Sequence, residues 1–103
     1  MYEKLVDDFF IRVEDLKNEY VNKYTFISDQ TLQIFKDDIK LLLREIFGCD
    51  ILNYIGVELK RDDYIHSTYF VNFIDKRRYD IIVSKERFIS VIKEVIQLCI
   101  KSK

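Results

Sequence analysis

Apolar residues recur every three or four positions in the first part of the chain, which is the spacing of one face of an α-helix. Polar and charged residues, mostly Glu, Asp, Lys and Asn, occupy the positions between them. The pattern predicts an amphipathic helix over residues 2–24. Its apolar face consists of Leu5, Phe9, Val13, Leu16 and Tyr20, widened by Val6 and Phe10.

The segment from Ser28 to Gly48 repeats this period and predicts a second helix. Ser28 or Asp29 can cap the free N–H groups at its start. Gly48 can end it in a left-handed conformation. The predicted inward-facing residues are Leu32, Phe35, Ile39, Leu42 and Ile46.

From Ile51 the apolar period changes to two, which is typical of a β-strand. Two similar runs follow, near residues 65–73 and 79–83. The final segment, which Ser84 can cap, returns to helical spacing. The element order α-α-β-β-β-α predicts an α+β fold in which helices pack on a three-stranded antiparallel β-meander.

The strand register is predicted by keeping apolar residues on one face, because a slip of one residue turns every side chain over. The second hairpin then contains the pairs Phe73–Tyr79, Val71–Ile81 and Tyr69–Val83. The first hairpin contains Leu59–Ile65, Val57–Ser67 and Ile55–Tyr69. The predicted inner face unites Ile51 with the members of these pairs, and the hairpin loops are 60–64 and 74–78.

This register leaves an apolar row on the outer face of the sheet. The row consists of Tyr54, Phe70 and Ile82, with Leu52 beside it. The last helix is also apolar over more than one narrow stripe. Either a helix of the chain covers the row, or the row binds a partner, because exposed apolar patches on small domains mark contact sites. We predict these four residues as a protein interface, with a homodimer as one form of it.

Composition indicates one globular domain spanning residues 1–103, with 49% hydrophobic and 34% charged residues. The absence of Pro, Trp and Ala suggests an AT-rich bacterial, phage or plasmid gene. No apolar run approaches a membrane span, and the acidic start does not resemble a signal peptide, so we expect a cytoplasmic protein. In that setting Cys49 and Cys99 are expected to be reduced thiols.

The net charge of −1 argues against a dedicated nucleic-acid binder. The charge is nevertheless distributed unevenly along the chain. The first 50 residues carry four more acids than bases, and the remainder carries three more bases than acids. The acids of the two N-terminal helices are expected to keep the surface hydrated. An acidic surface that competes with nucleic acid for a basic protein is the functional alternative.

Three consecutive cations, Lys76, Arg77 and Arg78, fall in the second predicted loop. Cations at a hairpin tip are readily solvated and discourage edge-to-edge pairing of the flanking strands. They could also contact phosphate, with strand aromatics providing a stacking surface. The alternative function is therefore a nucleic-acid-binding module that uses these three residues.

The remaining candidate chemistry is weak. Glu58 and Lys60 have the spacing found in some nuclease metal sites, but Asp50 would lie about 26 Å from Glu58 along a strand. His66 falls opposite Glu58 in the predicted register, where a surface ion pair is the simpler interpretation. With one histidine and two distant cysteines, the sequence predicts no metal site.

The sequence therefore predicts a small non-enzymatic interaction protein without a cofactor. It would act by binding another macromolecule, as an inhibitor, immunity or accessory protein does. The identity of its partner does not follow from the sequence.

Overall fold

The computed structural model describes residues 2–23, 28–48, 50–61 and 69–101. Over these residues it contains three α-helices and one three-stranded antiparallel sheet of order β1-β2-β3, so the predicted α+β fold and element order are confirmed. The elements are α1 (Tyr2–Lys23), α2 (Asp29–Phe47), a short 3₁₀ helix (Ile51–Asn53), β1 (Ile55–Arg61), β2 (Tyr69–Asp75), β3 (Asp80–Ile81) and α3 (Lys85–Lys101).

Helix α2 begins and ends at the residues that the sequence predicts. The Ser28 side-chain oxygen accepts the Thr31 N–H at 3.2 Å, which satisfies one free donor of the first turn. Gly48 has a positive φ of 68°, but its ψ of −162° makes the backbone extended instead of left-handed helical. The buried stripe is Phe35, Ile39, Leu43 and Phe47. The predicted stripe is thus confirmed at Phe35 and Ile39. Leu42 and Ile46 are only partly buried against the core, because the helix keeps a spacing of four and buries Leu43 and Phe47 instead.

The core forms where aromatic rings from several elements meet around Phe9 of α1. The ring of Phe9 stacks on that of Phe88 of α3 at a centroid distance of 5.7 Å. It also lies 5.6 Å from the ring of Phe47 in α2 and 5.3 Å from that of Phe73 in β2. Such ring pairs stabilise a core beyond the burial of their area. All three helices and the central strand are thus held at one point.

The first predicted strand begins later than the sequence pattern suggested. Ile51 is buried, but it belongs to the 3₁₀ helix, and β1 begins at Ile55. Ile51 and Leu52 fit the apolar pattern of a strand but form a turn of 3₁₀ helix. The pattern did not distinguish the two, because a short 3₁₀ segment can also bury its first residue. Tyr54 and Leu52 are half-buried against the core.

The predicted register of the first hairpin was wrong. Val57 pairs with Phe73, Leu59 with Val71, and Ile55 with Asp75. Lys60 and Arg61, which were assigned to the loop, belong to β1. The predicted partners Ile65 and Ser67 lie outside the described residues.

The predicted register of the second hairpin was also wrong, and here the error reverses a face. The described pairs are Ile74–Ile81 and Asp75–Asp80. The loop has four residues, 76–79, where five had been predicted, so β3 is displaced by an odd number of positions and its side chains turn over. Tyr79, Ile81 and Val83 are exposed, although they had been placed on the inner face.

Ile82 lies on the inner face instead and packs against the core. Its N–H donates to the Phe73 carbonyl oxygen at 2.8 Å. Of the predicted outer row, the described structure leaves Phe70 exposed, while Tyr54, Leu52 and Ile82 are partly buried. The row therefore does not exist as one continuous outer surface.

Helix α3 begins as predicted after Ser84, whose side-chain oxygen accepts the Arg87 N–H at 3.1 Å. Five of its apolar side chains are buried: Phe88, Val91, Ile92, Val95 and Cys99. Leu98 and Ile100 remain exposed. Most of the apolar surplus of this helix is thus used inside the fold. Cys49 lies outside the described residues.

Candidate protein-interaction surface

The outer face of the sheet carries large apolar side chains. Residues of β2 alternate between the two faces, so Phe70, Asn72 and Ile74 point away from the core while Val71 and Phe73 point toward it. Phe70 is 51% exposed. It lies opposite Lys60 of β1, whereas β3 pairs only with Ile74 and Asp75 at the far end of β2.

The chain that follows the second hairpin adds to this surface. Ile81 is opposite Ile74 on the outer face and is 52% exposed, and Val83 is 84% exposed. We call Phe70, Ile81 and Val83 the outer-face patch. Phe70 and Val83 also line one groove, and grouped exposure of apolar side chains marks contact surfaces.

A groove lies beside the patch, at the edge of β2. It has a volume of about 440 Å³ and is bordered by residues 70–73 of β2 and by residues 82–85. Helix α1 forms its third side with Phe10 and Val13 at one level and Glu14 and Lys17 farther along. Pockets of this size accept ligand groups or parts of a partner chain.

The basic loop is folded back onto the protein. The Lys76 ammonium donates to the Leu52 carbonyl oxygen at 2.8 Å. The Arg77 guanidinium binds both carboxylate oxygens of Asp75 at 3.0 Å and donates to a Glu94 carboxylate oxygen of α3 at 2.6 Å. Arg78 is exposed at the tip. The three cations do lie in a turn as predicted, but two of them already have intramolecular partners.

These contacts change the acidity of the groups involved. Hydrogen bonds from Arg77 hold the pKa of the Asp75 carboxyl below its ordinary value, although burial of this acid acts in the opposite direction. Hydrogen bonds from Arg77 also lower the pKa of Glu94. The guanidinium pKa of Arg77 is raised in return, chiefly by its hydrogen bonds to Asp75. The cluster is fully ionised at neutral pH.

Of the candidate catalytic residues Glu58, Lys60 and His66, the structure describes the first two. Glu58 and Lys60 are exposed on the outer face, opposite Asn72 and Phe70. The predicted pairing of Glu58 with His66 is wrong, since Asn72 occupies that position, and His66 itself lies outside the described residues. Within the described part of the chain, no three His, Cys, Asp or Glu side chains are arranged to hold a metal ion.

Acids of the N-terminal half take part in ion pairs between helices. Glu45 of α2 pairs with Arg12 of α1 at 3.3 Å. Glu3 of α1 pairs with Lys93 of α3, also at 3.3 Å, and Asp7 pairs with Lys85. These pairs place cations among the acids of α1. They therefore favour the interpretation that the acids keep the surface hydrated over that of a continuous acidic face.

Sequence reasoning missed some of the exposed apolar residues. Ile81 and Val83 were predicted as core because the predicted register paired them with Val71 and Tyr69. Ile11, Ile34 and Leu41 are exposed on α1 and α2. The signal that could have found Ile11 and Leu41 is the helical period itself, since both lie off the buried stripe of their helix.

Across the described residues, no helix combines the length and the apolar character that crossing a bilayer requires. Comparison of the chain with known protein families, with curated proteins and with solved structures found no match.

Proposed function

We propose that this protein acts by binding another protein through the outer face of its sheet. The observation that carries the proposal is the outer-face patch, in which Phe70, Ile81 and Val83 are each at least half exposed. Removing a large apolar side chain from water contributes about 1.5–3 kcal/mol when burial is complete. Three half-exposed side chains can therefore supply part of the affinity of a complex, before the entropy of association is subtracted.

The proposal includes no catalytic step. Inhibitor, immunity and accessory proteins work by occupation of a surface, for which a rigid small domain with an apolar contact patch suffices. A cytoplasmic location and a bacterial, phage or plasmid origin belong to this proposal as expectations from the sequence.

The test replaces two residues of the patch, with Phe70→Asp and Ile81→Lys in one chain. A charge on an exposed position costs the fold little, whereas a buried unpaired charge in an interface costs much. Immobilised wild-type and variant proteins are used to capture binding proteins from cells of the source organism, and each captured protein is quantified. We expect the double variant to remain folded and to lose the specifically captured protein.

The matched control carries Ile11→Asp and Leu41→Lys, which are exposed to a similar extent on the two N-terminal helices. It should retain the captured protein. Retention by the patch variant together with loss by the control would move the interface to the helices and contradict the proposal. Light scattering of the same proteins shows whether the binding partner is a second copy.

A further inference from the structure

The edge of β2 beside the groove has backbone groups without a hydrogen-bond partner among the described residues. In an antiparallel sheet, successive residues direct their N–H and C=O groups alternately to the two neighbouring strands. The Lys76 N–H donates to the Tyr54 carbonyl oxygen at 2.8 Å on the β1 side of β2. Even-numbered residues of β2 therefore bond toward β1, and odd-numbered residues point the other way.

Only the last residues of β2 find partners on that other side. β3 pairs with Ile74 and Asp75, and the chain makes one more bond when the Ile82 N–H donates to the Phe73 carbonyl oxygen. After Ile82 the chain leaves the sheet toward α3. Among the residues that the structure describes, none forms a hydrogen bond with the outward N–H and C=O of Val71.

The groove lies directly along this unpaired stretch. One wall is the edge of β2 itself, and the Phe10 and Val13 side chains of α1 line the groove with Phe73 and Ile82. An occupant must therefore offer backbone donors and acceptors to Val71 and apolar side chains to α1. An extended strand satisfies both requirements, since its backbone groups lie in the sheet and alternate side chains point to one face.

The length of the open edge limits which kind of partner can bind there. The open stretch ends before Phe73, whose carbonyl oxygen already accepts the Ile82 N–H. Residues 70–72 span about 10 Å at the rise of a strand, so an added strand of about three residues fills the edge. A stable folded dimer buries about 800 Å² on each partner, which is more than so short an edge provides. The edge alone therefore suits a short linear segment better than it suits a second copy of the whole domain.

The charge of the groove indicates the character of that segment. Glu14 and Lys17 carry opposite charges on α1, and Lys85 is already paired with Asp7. The groove has no uncompensated charge to match, and its side chains nearest the edge are apolar. A segment with apolar residues at alternate positions and no strong net charge is complementary to it.

We infer that the edge of β2 at residues 70–72 accepts an extended, alternately apolar segment of the partner protein as an added strand. This inference rests on the proposed function and names the way in which the partner binds. The outer-face patch then contacts whatever part of the partner flanks the inserted segment.

The probes are short linear peptides selected on the immobilised wild-type protein from a random displayed library and then synthesised. We expect the selected peptides to carry apolar residues at alternate positions. Each is compared with two analogues, methylated either at the backbone nitrogen expected to face β2 or at the next one. Loss of one hydrogen bond corresponds to about a tenfold loss of affinity. We expect that loss from one analogue and no change from the other.

The matching protein variant is Val71→Pro, which removes the outward N–H without removing a bond to β1. Proline is tolerated at a strand edge on its solvent side, so this variant should keep its fold and lose peptide binding. Asn72→Pro is the contrasting variant, since it removes an N–H that faces β1 and should destabilise the sheet. Should Val71→Pro unfold, amide exchange of wild-type Val71 replaces it, and protection of that amide by the peptide is the expected result.

Three results would overturn the inference. The first is that the library yields no peptide that binds the protein. The second is that methylation at either position leaves the affinity of the peptides unchanged. The third is that the wild-type protein self-associates and Val71→Pro abolishes this association. The last result would assign the edge to a second copy. If Val71→Pro still captures the cellular protein that the Phe70→Asp, Ile81→Lys variant loses, the proposed function stands and the added strand does not.

Discussion

Asp75 is the last residue of β2 and is only 1% exposed. A carboxylate buried to this extent needs several hydrogen-bond donors. Arg77 supplies them from two residues away: its backbone N–H reaches one carboxylate oxygen at 3.1 Å, and its guanidinium reaches both at 3.0 Å. The Arg87 guanidinium lies 3.9 Å from the same carboxylate. Arg77 of the basic loop thus serves to hold one buried acid in its charged form.

Replacing Arg77 with Ala should therefore destabilise the protein, because Asp75 would remain buried without its main partner. We expect a loss of about 3 kcal/mol in the free energy of unfolding. Arg77→Lys should lie between the wild type and Arg77→Ala, since Lys cannot bind both carboxylate oxygens from a planar fork. The measurement is urea unfolding at neutral pH.

The control is Arg78→Ala, which changes the neighbouring exposed cation and should alter the free energy of unfolding by about 0.5 kcal/mol or less. Equal effects of the two alanine variants would show that the contacts of Arg77 with Asp75 do not stabilise the fold.

The same cluster predicts a pH dependence of stability. The pKa of Asp75 in the folded state lies below its ordinary value of 3.8, chiefly through the hydrogen bonds from Arg77. Its contribution is therefore fully present above the unfolded-state pKa and is lost as the pH falls toward the lowered folded-state value. Thermal unfolding between about pH 6 and pH 2 should show this loss in the wild type. An Asp75→Asn variant should show a shallower dependence, and curves of equal slope would contradict the assignment.

A charged residue in a turn gives no sign of such pairing in its sequence. Polar residues are assigned outward by pattern, so Asp75 was read as part of a loop and not as the last inward residue of β2. The predicted strand was shortened by Ile74 and Asp75, and the hairpin was shifted so that Ile81 and Val83 fell on the apolar face. Ser28 and Ser84, in contrast, were predicted correctly as helix caps, because a cap depends only on contacts within one turn.

At the scale of the elements, Gly48 determines where α2 ends and the chain turns toward the sheet. Its φ of 68° and ψ of −162° lie in a region that is essentially restricted to glycine. A Cβ at this position would meet no atom within 4 Å, so the requirement comes from the backbone alone. Helix α2 therefore ends there for conformational reasons.

We expect Gly48→Ala to reduce the free energy of unfolding by about 1–3 kcal/mol through backbone strain. The matched control is Gly56→Ala in β1, where a Cβ would make ordinary contact with the Lys76 Cε at 3.4 Å. That change should be neutral or stabilising by up to about 1 kcal/mol, because alanine restricts the unfolded chain. Denaturant unfolding of both variants provides the comparison, and similar losses at the two positions would refute the conformational argument.

The helices were predicted more accurately than the strands for a physical reason. Caps and a period of 3.6 are local properties, and they gave the bounds of α1, α2 and α3 within one or two residues. Strand pairing depends on loop length and on partners distant in sequence. The left-handed φ of 57° at Tyr79 lets a four-residue loop close, and a bulky residue is seldom found in that conformation. The face of β3 therefore could not be obtained from alternation alone.

At the scale of the whole molecule, charge is spread instead of concentrated. Ion pairs join α1 to both other helices, and the net charge is −1. A nucleic-acid-binding surface needs several cations that are available to phosphate. Lys76 and Arg77 are already bonded within the protein, which leaves the alternative function with Arg78, whose side chain is exposed.

We accordingly expect no salt-dependent affinity for single- or double-stranded nucleic acid at low ionic strength, as measured by fluorescence anisotropy. Were binding observed, Arg78→Ser should lower the slope of log affinity against log salt by about one unit. Arg77→Ser would test the same surface less cleanly, because it also destabilises the fold. A steep slope that Arg78→Ser reduces would support the alternative function.

The meeting of rings at Phe9 also has a consequence for how the chain is synthesised. Phe9 is translated long before Phe88, on whose ring it stacks. A nascent chain that has completed α1 and α2 therefore still exposes Phe9 and its neighbour Phe10. Closure of the core must wait for translation of α3, and until then the emerging protein presents an aromatic surface to the chaperones that scan new chains.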